Sequence, residues 1–123
     1  MKTAGIFNDT SISGHYGCTA VMKTLISELQ QRGVKPTYLW PVAEDWQPHE
    51  ALLEGYRPDM IVVNGEGTIH HSEDRKRTRD LIAVVYHAKK LNVPAHLVNA
   101  SVAALDENAL QAVAAFDSIQ VRE

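Results

Sequence analysis

The sequence has a single cysteine, Cys18, few aromatic residues and no long apolar run. One cysteine cannot form an internal disulfide, which argues against a small disulfide-held secreted scaffold and favours a reducing compartment. No stretch approaches the roughly 20 apolar residues of a membrane-spanning helix. The apolar run near the amino terminus is also too short for the core of a signal peptide. We therefore expect a cytoplasmic protein without an integral membrane segment.

An excess of positive charge is also lacking. Twelve Lys and Arg residues stand against fifteen Asp and Glu residues, for a formal net charge of -3. Proteins that bind nucleic acid typically carry a basic surface, so no nucleic-acid partner is expected and any anion site must be local. With 123 residues, 45% of them hydrophobic and 22% charged, the chain is predicted to form one domain over residues 1–123.

Strand-like and helix-like patterns alternate along the chain. Strands are predicted over 3–7, 35–42, 59–64, 95–101 and 117–123. Apolar residues at three- and four-residue steps predict helices over 18–32, 48–56, 81–91 and 107–116, with Gly33 and Asn92 at C-terminal ends and Asp106 as an N-cap. Such alternation predicts a three-layer αβα sandwich around a five-stranded parallel, Rossmann-like sheet.

Ligands of open parallel sheets bind at the carboxyl ends of the strands. The loops after strands one, three and four should meet there, and they hold His15, His70 and His71. In the first loop, glycines precede a helix whose free amides could hold an anion. It has neither the G-x-G-x-x-G pattern of dinucleotide sites nor a P-loop lysine, so no cofactor is expected. The alternative is a turn in which Asn8 and Asp9 bond their own backbone.

The segment "NGEGTIHH" is the strongest candidate for a site. Gly65 and Gly67 would let a ligand approach the backbone, Glu66 could act as an acid, base or hydroxyl acceptor, and His70 could transfer protons. Glu66, His70, His71 and the acids at 73 and 74 could instead surround a metal, but the histidine spacing of metal sites is missing, so no metal is assigned. A buried His70 with a solvated His71 is the purely structural alternative.

Two further segments are more ambiguous. Asn99 and Ser101 after strand four could contact a substrate hydroxyl or cap a turn. The run "RKRTR", residues 75–79, would oppose the dipole of the helix that it begins, and it is interpreted as a solvated helix start rather than an anion-binding patch.

The stretches "GIFNDTSISGHYGCTAVM", "PDMIVVNGEGTIHH" and "FDSIQVRE" together resemble the polysaccharide pyruvyl transferase family, over nearly the whole chain. That family has two lobes arranged like those of GT-B glycosyltransferases, and the chain resembles the N-terminal lobe. The resemblance implies an enzyme of cell-surface polysaccharide synthesis that transfers a pyruvyl group from phosphoenolpyruvate to a sugar hydroxyl.

The resemblance also implies roles for individual residues. Glu66 and Asp9 are the candidate bases or hydroxyl contacts, and His70 is the candidate for proton transfer. The substrate-binding candidates are Asn8, His15, Gly17, Gly65 and Gly67. The position of Asn99 and Ser101 after strand four, rather than the resemblance, adds these two to the set. The expected partners are a sugar or sugar-phosphate acceptor and phosphoenolpyruvate, with a second lobe or a homo-oligomer completing the site.

Two other functions fit the same residues. One is a non-catalytic binding or assembly module whose exposed face is covered by a partner or a second copy. The other is a small metal-dependent hydrolase that uses Glu66, His70, His71 and Asp74.

Overall fold

A five-stranded, all-parallel sheet forms the centre of the domain, as predicted. The computed structural model describes residues 1–11 and 16–121. Within them the strand order is β2-β1-β3-β4-β5. The strands are β1 (Lys2–Asp9), β2 (Val34–Pro41), β3 (Met60–Asn64), β4 (Ala95–Ala100) and β5 (Ser118–Val121). The last two residues, 122 and 123, lie outside the described range.

Helices cover both faces of this sheet, which confirms the predicted three-layer sandwich. They are α1 (Tyr16–Gln31), α2 (Glu50–Gly55), α3 (Lys76–Ile82), α4 (Val84–Leu91) and α5 (Glu107–Ala114). Successive strand residues point to opposite faces, so Ile6 and Val62 pack under Met22 of α1. Their neighbours Phe7 and Val63 join the larger core beneath the other four helices.

The prediction of one continuous helix over 81–91 is wrong, because two helices meet at Ala83. The indole of Trp46, a buried residue, donates to the carbonyl of Asp80 at 2.6 Å. In an unbroken helix that carbonyl would accept from the amide of Val84, four residues on. A tertiary contact therefore takes a bond from the helix ladder where the helix breaks.

The predicted caps are confirmed. Gly33 and Asn92 adopt left-handed backbone conformations, with φ of +76° and +58°, as is common just past a helix end. The Asp106 side chain accepts from the amide of Ala109 at 2.8 Å, the geometry of an N-cap. Among residues 1–11 and 16–121, no helix combines the length and the apolar character needed to cross a bilayer.

The topology creates a switch point between β1 and β3. The chain leaves β1 toward β2 on one side and later leaves β3 toward β4 on the other. The loops after these two neighbouring strands therefore diverge, and a crevice opens between them at the carboxyl edge of the sheet. We therefore expect the candidate residues of the first two loops to lie at this crevice.

The Asp106 cap gives a test of the fold. We expect Asp106→Ala to lower the free energy of unfolding by about 1 kcal/mol, because an N-cap bond is lost. Asp106→Asn should keep most of that stability, since asparagine caps nearly as well. Urea unfolding followed by circular dichroism measures both. Equal stability of the alanine variant and the native protein would contradict the role assigned to this cap.

Candidate functional site at the carboxyl ends of the strands

Asn64, the last residue of β3, joins three loops at the switch point. Its side chain is fully buried. The amide nitrogen donates to the carbonyl of Asn8 at 3.2 Å and lies 3.3 Å from Oε2 of Glu66. The amide oxygen accepts from Nδ2 of Asn99 at 3.3 Å. Buried polar atoms need partners, and here the partners come from the loops after β1, β3 and β4.

Glu66 is held through one carboxylate oxygen. Oε2 accepts from the hydroxyl of Thr10 at 2.6 Å and from Asn64. The other oxygen, Oε1, has no hydrogen-bond partner among the described residues, and the side chain is half-buried. The carboxylate is thus oriented while keeping acceptor capacity for a ligand hydroxyl.

In the first loop, Asn8 and Asp9 make internal contacts. Asn8 is buried with φ of +71°, and its Nδ2 donates to the Asn64 carbonyl at 2.7 Å and to Oγ1 of Thr68 at 3.1 Å. Oδ1 of Asp9 accepts from the amide and the hydroxyl of Ser11, at 3.0 and 2.6 Å. The Asp9 contacts form the local turn proposed as the structural alternative, whereas Asn8 ties the loop to β3.

Two residues of the first loop, His15 and Gly14, lie outside the described residues. Gly17 lies in the first turn of α1 and is exposed, and no described residue stands within 4 Å of where a Cβ would be.

His70 is engaged at both ring nitrogens. Arg75 reaches its Nε2 through Nη1, and its Nδ1 lies 2.7 Å from Nδ1 of His71. A guanidinium only donates, so Nε2 of His70 accepts and its ring proton sits on Nδ1, donated to His71. Burial, Arg75 and His71, in that order, lower the pKa of His70 below its ordinary value. No hydrogen bond joins His70 to Glu66, so these two candidates belong to separate clusters.

Beyond the strand ends, hydrogen bonds join the loops after β3 and β4. His70 and Ala103 form a parallel bridge, and the amide of His71 donates to the Ala103 carbonyl at 3.1 Å. The Ser72 hydroxyl accepts from the amide of Asp106 at 2.8 Å. These contacts fix the second loop to the start of α5, and they explain why Ser72 is buried within a charged segment.

Asn99 and Ser101, the third-loop candidates, separate in the structure. The pairing of β4 with β5 has a register shift between Leu97 and Ala100, and Asn99 lies there with φ of +54°. Such bulges redirect side chains near sites, and this one accompanies the contact of Asn99 with Asn64. Ser101 is exposed and has no hydrogen bond within the part of the chain that the structure describes.

The two glycines of the second loop have different structural reasons. A Cβ on Gly65 would lie 2.9 Å from Cα of Ala100, so the crossing with β4 requires glycine. Gly67 has φ of +63° and open space around it, so a turn requires it.

The basic run is largely used internally, in agreement with its interpretation as a helix start. Lys76 contacts Asp45 and Asp80 at 3.0 and 2.6 Å. Arg79 donates to the carbonyls of Ser72 and Glu73, and Arg75 holds His70 and the carbonyl of Thr68. These three cationic side chains are therefore bound by carboxylate, carbonyl and imidazole groups of the domain itself.

A groove opens beside Asn64 and Asn99, between α1 and the ends of β3, β4 and β5. Its volume is about 360 Å³, within the usual range for small-molecule sites. Carboxamides of Asn64, Asn99 and Gln120 line it together with Val21, Leu25 and Val98. The groove therefore offers hydrogen-bonding groups and apolar surface to a ligand, and its lining residue Asn64 contacts Glu66.

The structure adds two residues that sequence reasoning did not select, Thr10 and Thr68. Both are buried hydroxyls that contact site residues. Thr10 directly follows Asn8 and Asp9 at the end of β1, so its place in the sequence could have identified it. Among residues 1–11 and 16–121, no three side chains of the types that commonly ligate metals converge on one point.

The contrast between two glycines is testable. Gly65→Ala should destabilise the domain by about 1–3 kcal/mol, because the new methyl group collides with the backbone of β4. Gly17→Ala, in open space on a helix, should be neutral or stabilising by up to about 1 kcal/mol. Denaturant unfolding compares the two variants. Equal effects would contradict the close crossing at Gly65.

The environment of His70 predicts its titration. Its imidazole should titrate below the ordinary value of about 6.5. As pH falls below that value, the unfolded chain takes up a proton that the folded loop resists, so folding stability decreases. Proton NMR of the His70 ring measures the midpoint.

The matched variants for this titration are Arg75→Gln and Arg77→Gln. Arg75→Gln removes the cation beside His70 and should raise the midpoint. Arg77→Gln should leave it in place, since Arg77 has no hydrogen bond or ion pair within residues 1–11 and 16–121. An unchanged midpoint in the Arg75→Gln variant would refute the assigned contact between Arg75 and His70.

Comparison of the chain with protein-family models, with curated proteins and with solved structures finds no match in any of the three. The assignment of a function therefore rests on the residues and geometry of the site.

Proposed function

We propose that this domain is the acceptor-binding lobe of a polysaccharide pyruvyl transferase-like enzyme. The observation that carries the proposal is the Glu66 carboxylate, which is fixed through Oε2 and whose Oε1 has no hydrogen-bond partner among the described residues. A carboxylate held in this way can accept the hydrogen of a sugar hydroxyl and act as its general base. The sequence resemblance supports the choice of reaction, and with it a cytoplasmic role in cell-surface polysaccharide synthesis.

The proposed reaction forms a ketal on the sugar. The methylene carbon of phosphoenolpyruvate takes up a proton, and one sugar hydroxyl adds to the neighbouring carbon. A second hydroxyl then displaces phosphate from that carbon, and both hydroxyl protons are released to bases. The chemistry needs a base near the hydroxyls and cationic or amide groups near the phosphate and carboxylate.

Three of the four cations in the basic run 75–79 favour the acceptor side of this reaction, and the fourth, Arg77, has no ion pair among the described residues. Arg75, Lys76 and Arg79 are bound by groups of the domain itself. They are therefore poorly placed to hold the phosphate and carboxylate of phosphoenolpyruvate. In the proposal, a second lobe supplies those groups, and this domain orients the hydroxyl that attacks.

The groove beside Asn64 and Asn99 suits a sugar better than a phosphate. Carboxamides donate and accept hydrogen bonds, as hydroxyls do, while Val21, Leu25 and Val98 offer apolar surface to the ring. Its charged lining residue is acidic, Glu28. We therefore assign to this groove the uncharged part of the acceptor.

Of the other two catalytic candidates, Asp9 is buried and its Oδ1 accepts from Ser11, so it is less accessible to a ligand than Glu66. Both ring nitrogens of His70 are engaged, so in the proposal His70 exchanges protons through its partner His71. Glu66 therefore becomes the first residue to change in an experiment.

A binding measurement tests the proposal without requiring turnover. Titration of labelled protein with glucose and with glucose 1-phosphate, followed by amide NMR shifts, should perturb Glu66, Asn64 and Asn99. Glu66→Gln should weaken binding about tenfold, because a hydrogen bond to a charged acceptor is lost.

Glu73→Gln is the matched control, since Glu73 is exposed and no contact of its carboxylate links it to the site. It should bind both sugars as the native protein does. Perturbations confined to other surfaces, or equal binding by the Glu66 and Glu73 variants, would refute the assignment of this site.

A further inference from the structure

The two edge strands of the sheet are protected to different degrees. The β2 edge carries Pro36 and Pro41, which cannot donate a ladder bond, and Lys35. Its pairing with β1 has two register shifts. Prolines, lysines and bulges are the usual means by which edge strands avoid pairing with other chains.

The β5 edge has neither proline nor lysine, and its pairing with β4 has one register shift, between Leu97 and Ala100. It reads Ser-Ile-Gln-Val, pairs on one side with β4, and has all four residues exposed. Its other side has no pairing strand among the described residues. The unpaired amides and carbonyls along such an edge are complementary to one kind of partner, an extended strand.

Exposed apolar side chains are concentrated at this edge. Ile119 is 44% exposed and Val121 is 64% exposed. They are two residues apart, so they project from the same face of the strand. Leu110, on the helix that leads into β5, is 56% exposed. An edge strand that has one unpaired side and this composition is a predicted association site.

We propose that β5 pairs antiparallel with β5 of a second copy of this chain, across a two-fold axis at Gln120. In that register Ile119 lies opposite Val121 of the other copy, and Gln120 lies opposite itself. Apolar pairs then fall on one face and amides on the other, so the pattern of the strand fixes the register. The contact is isologous and closed, and the two sheets form one sheet of ten strands.

The proposed contact is small, which sets the expected strength. Three paired residues per copy, 119–121, and the flanking α5 helices give an interface at the low end of the known sizes, where association is weak and reversible. The protein should therefore be a monomer of 13.6 kDa at low concentration and approach twice that mass as the concentration rises.

Sedimentation velocity from about 10 μM to about 1 mM, the range of weak interfaces, tests the association. Ile119→Lys places a charge in the paired edge and should keep the protein monomeric throughout. Leu39→Lys makes the same change on the other edge strand, where Leu39 is 40% exposed, and should leave dimerisation unchanged. Circular dichroism checks that both variants fold.

A crosslink tests the register independently. In a Cys18→Ser background, Gln120→Cys puts two thiols opposite each other, at separations near those that a disulfide spans. Mild oxidation should give a covalent dimer. Leu39→Cys in the same background should stay monomeric.

Three results would overturn the proposal. They are a monomer at every concentration, a dimer that Leu39→Lys disrupts and Ile119→Lys does not, and species larger than a dimer. None of these bears on sugar binding at Glu66, so failure here is distinguishable from failure of the proposed function.

Discussion

The buried carboxamide of Asn64 holds the carboxyl edge of this sheet together. It lies at the switch point, where the chain leaves neighbouring strands in opposite directions and a polar crevice results. Each of its polar atoms needs a partner, and Asn8, Glu66 and Asn99 provide them. Asn8 and Asn99 take left-handed backbone conformations, which asparagine tolerates better than most residues. The position and orientation of Glu66 follow from these bonds.

Polar residues at this edge divide into those that the fold uses and those that remain available. Asp9 closes its own turn, and Arg75 fixes His70. Oε1 of Glu66 remains free among the described groups, and Asn64, which contacts Glu66, lines a groove with carboxamides and apolar walls. Three of the four cations in the basic run, Arg75, Lys76 and Arg79, are bonded within the domain.

The site and the β5 edge occupy different parts of the same sheet, but they are not independent. Gln120 lines the groove and also lies at the proposed two-fold axis. If two copies pair through β5, the axis runs perpendicular to the sheet, so both α1 helices lie on one face. The two grooves would then open on the same face of the joined sheet.

Sequence patterning determined the architecture of this protein. Alternating apolar strands and amphipathic helices required a parallel sheet with helices on both faces, and Gly33, Asn92 and Asp106 marked their ends, because these are local preferences of the backbone. Only the tertiary structure decided how the third helical segment breaks, since the bond from Trp46 to Asp80 joins residues 34 positions apart. It also decided that Glu66 and His70, four residues apart in one loop, belong to different clusters. Spacing brings residues to the same edge of a sheet, but the direction of each side chain depends on partners that other strands supply.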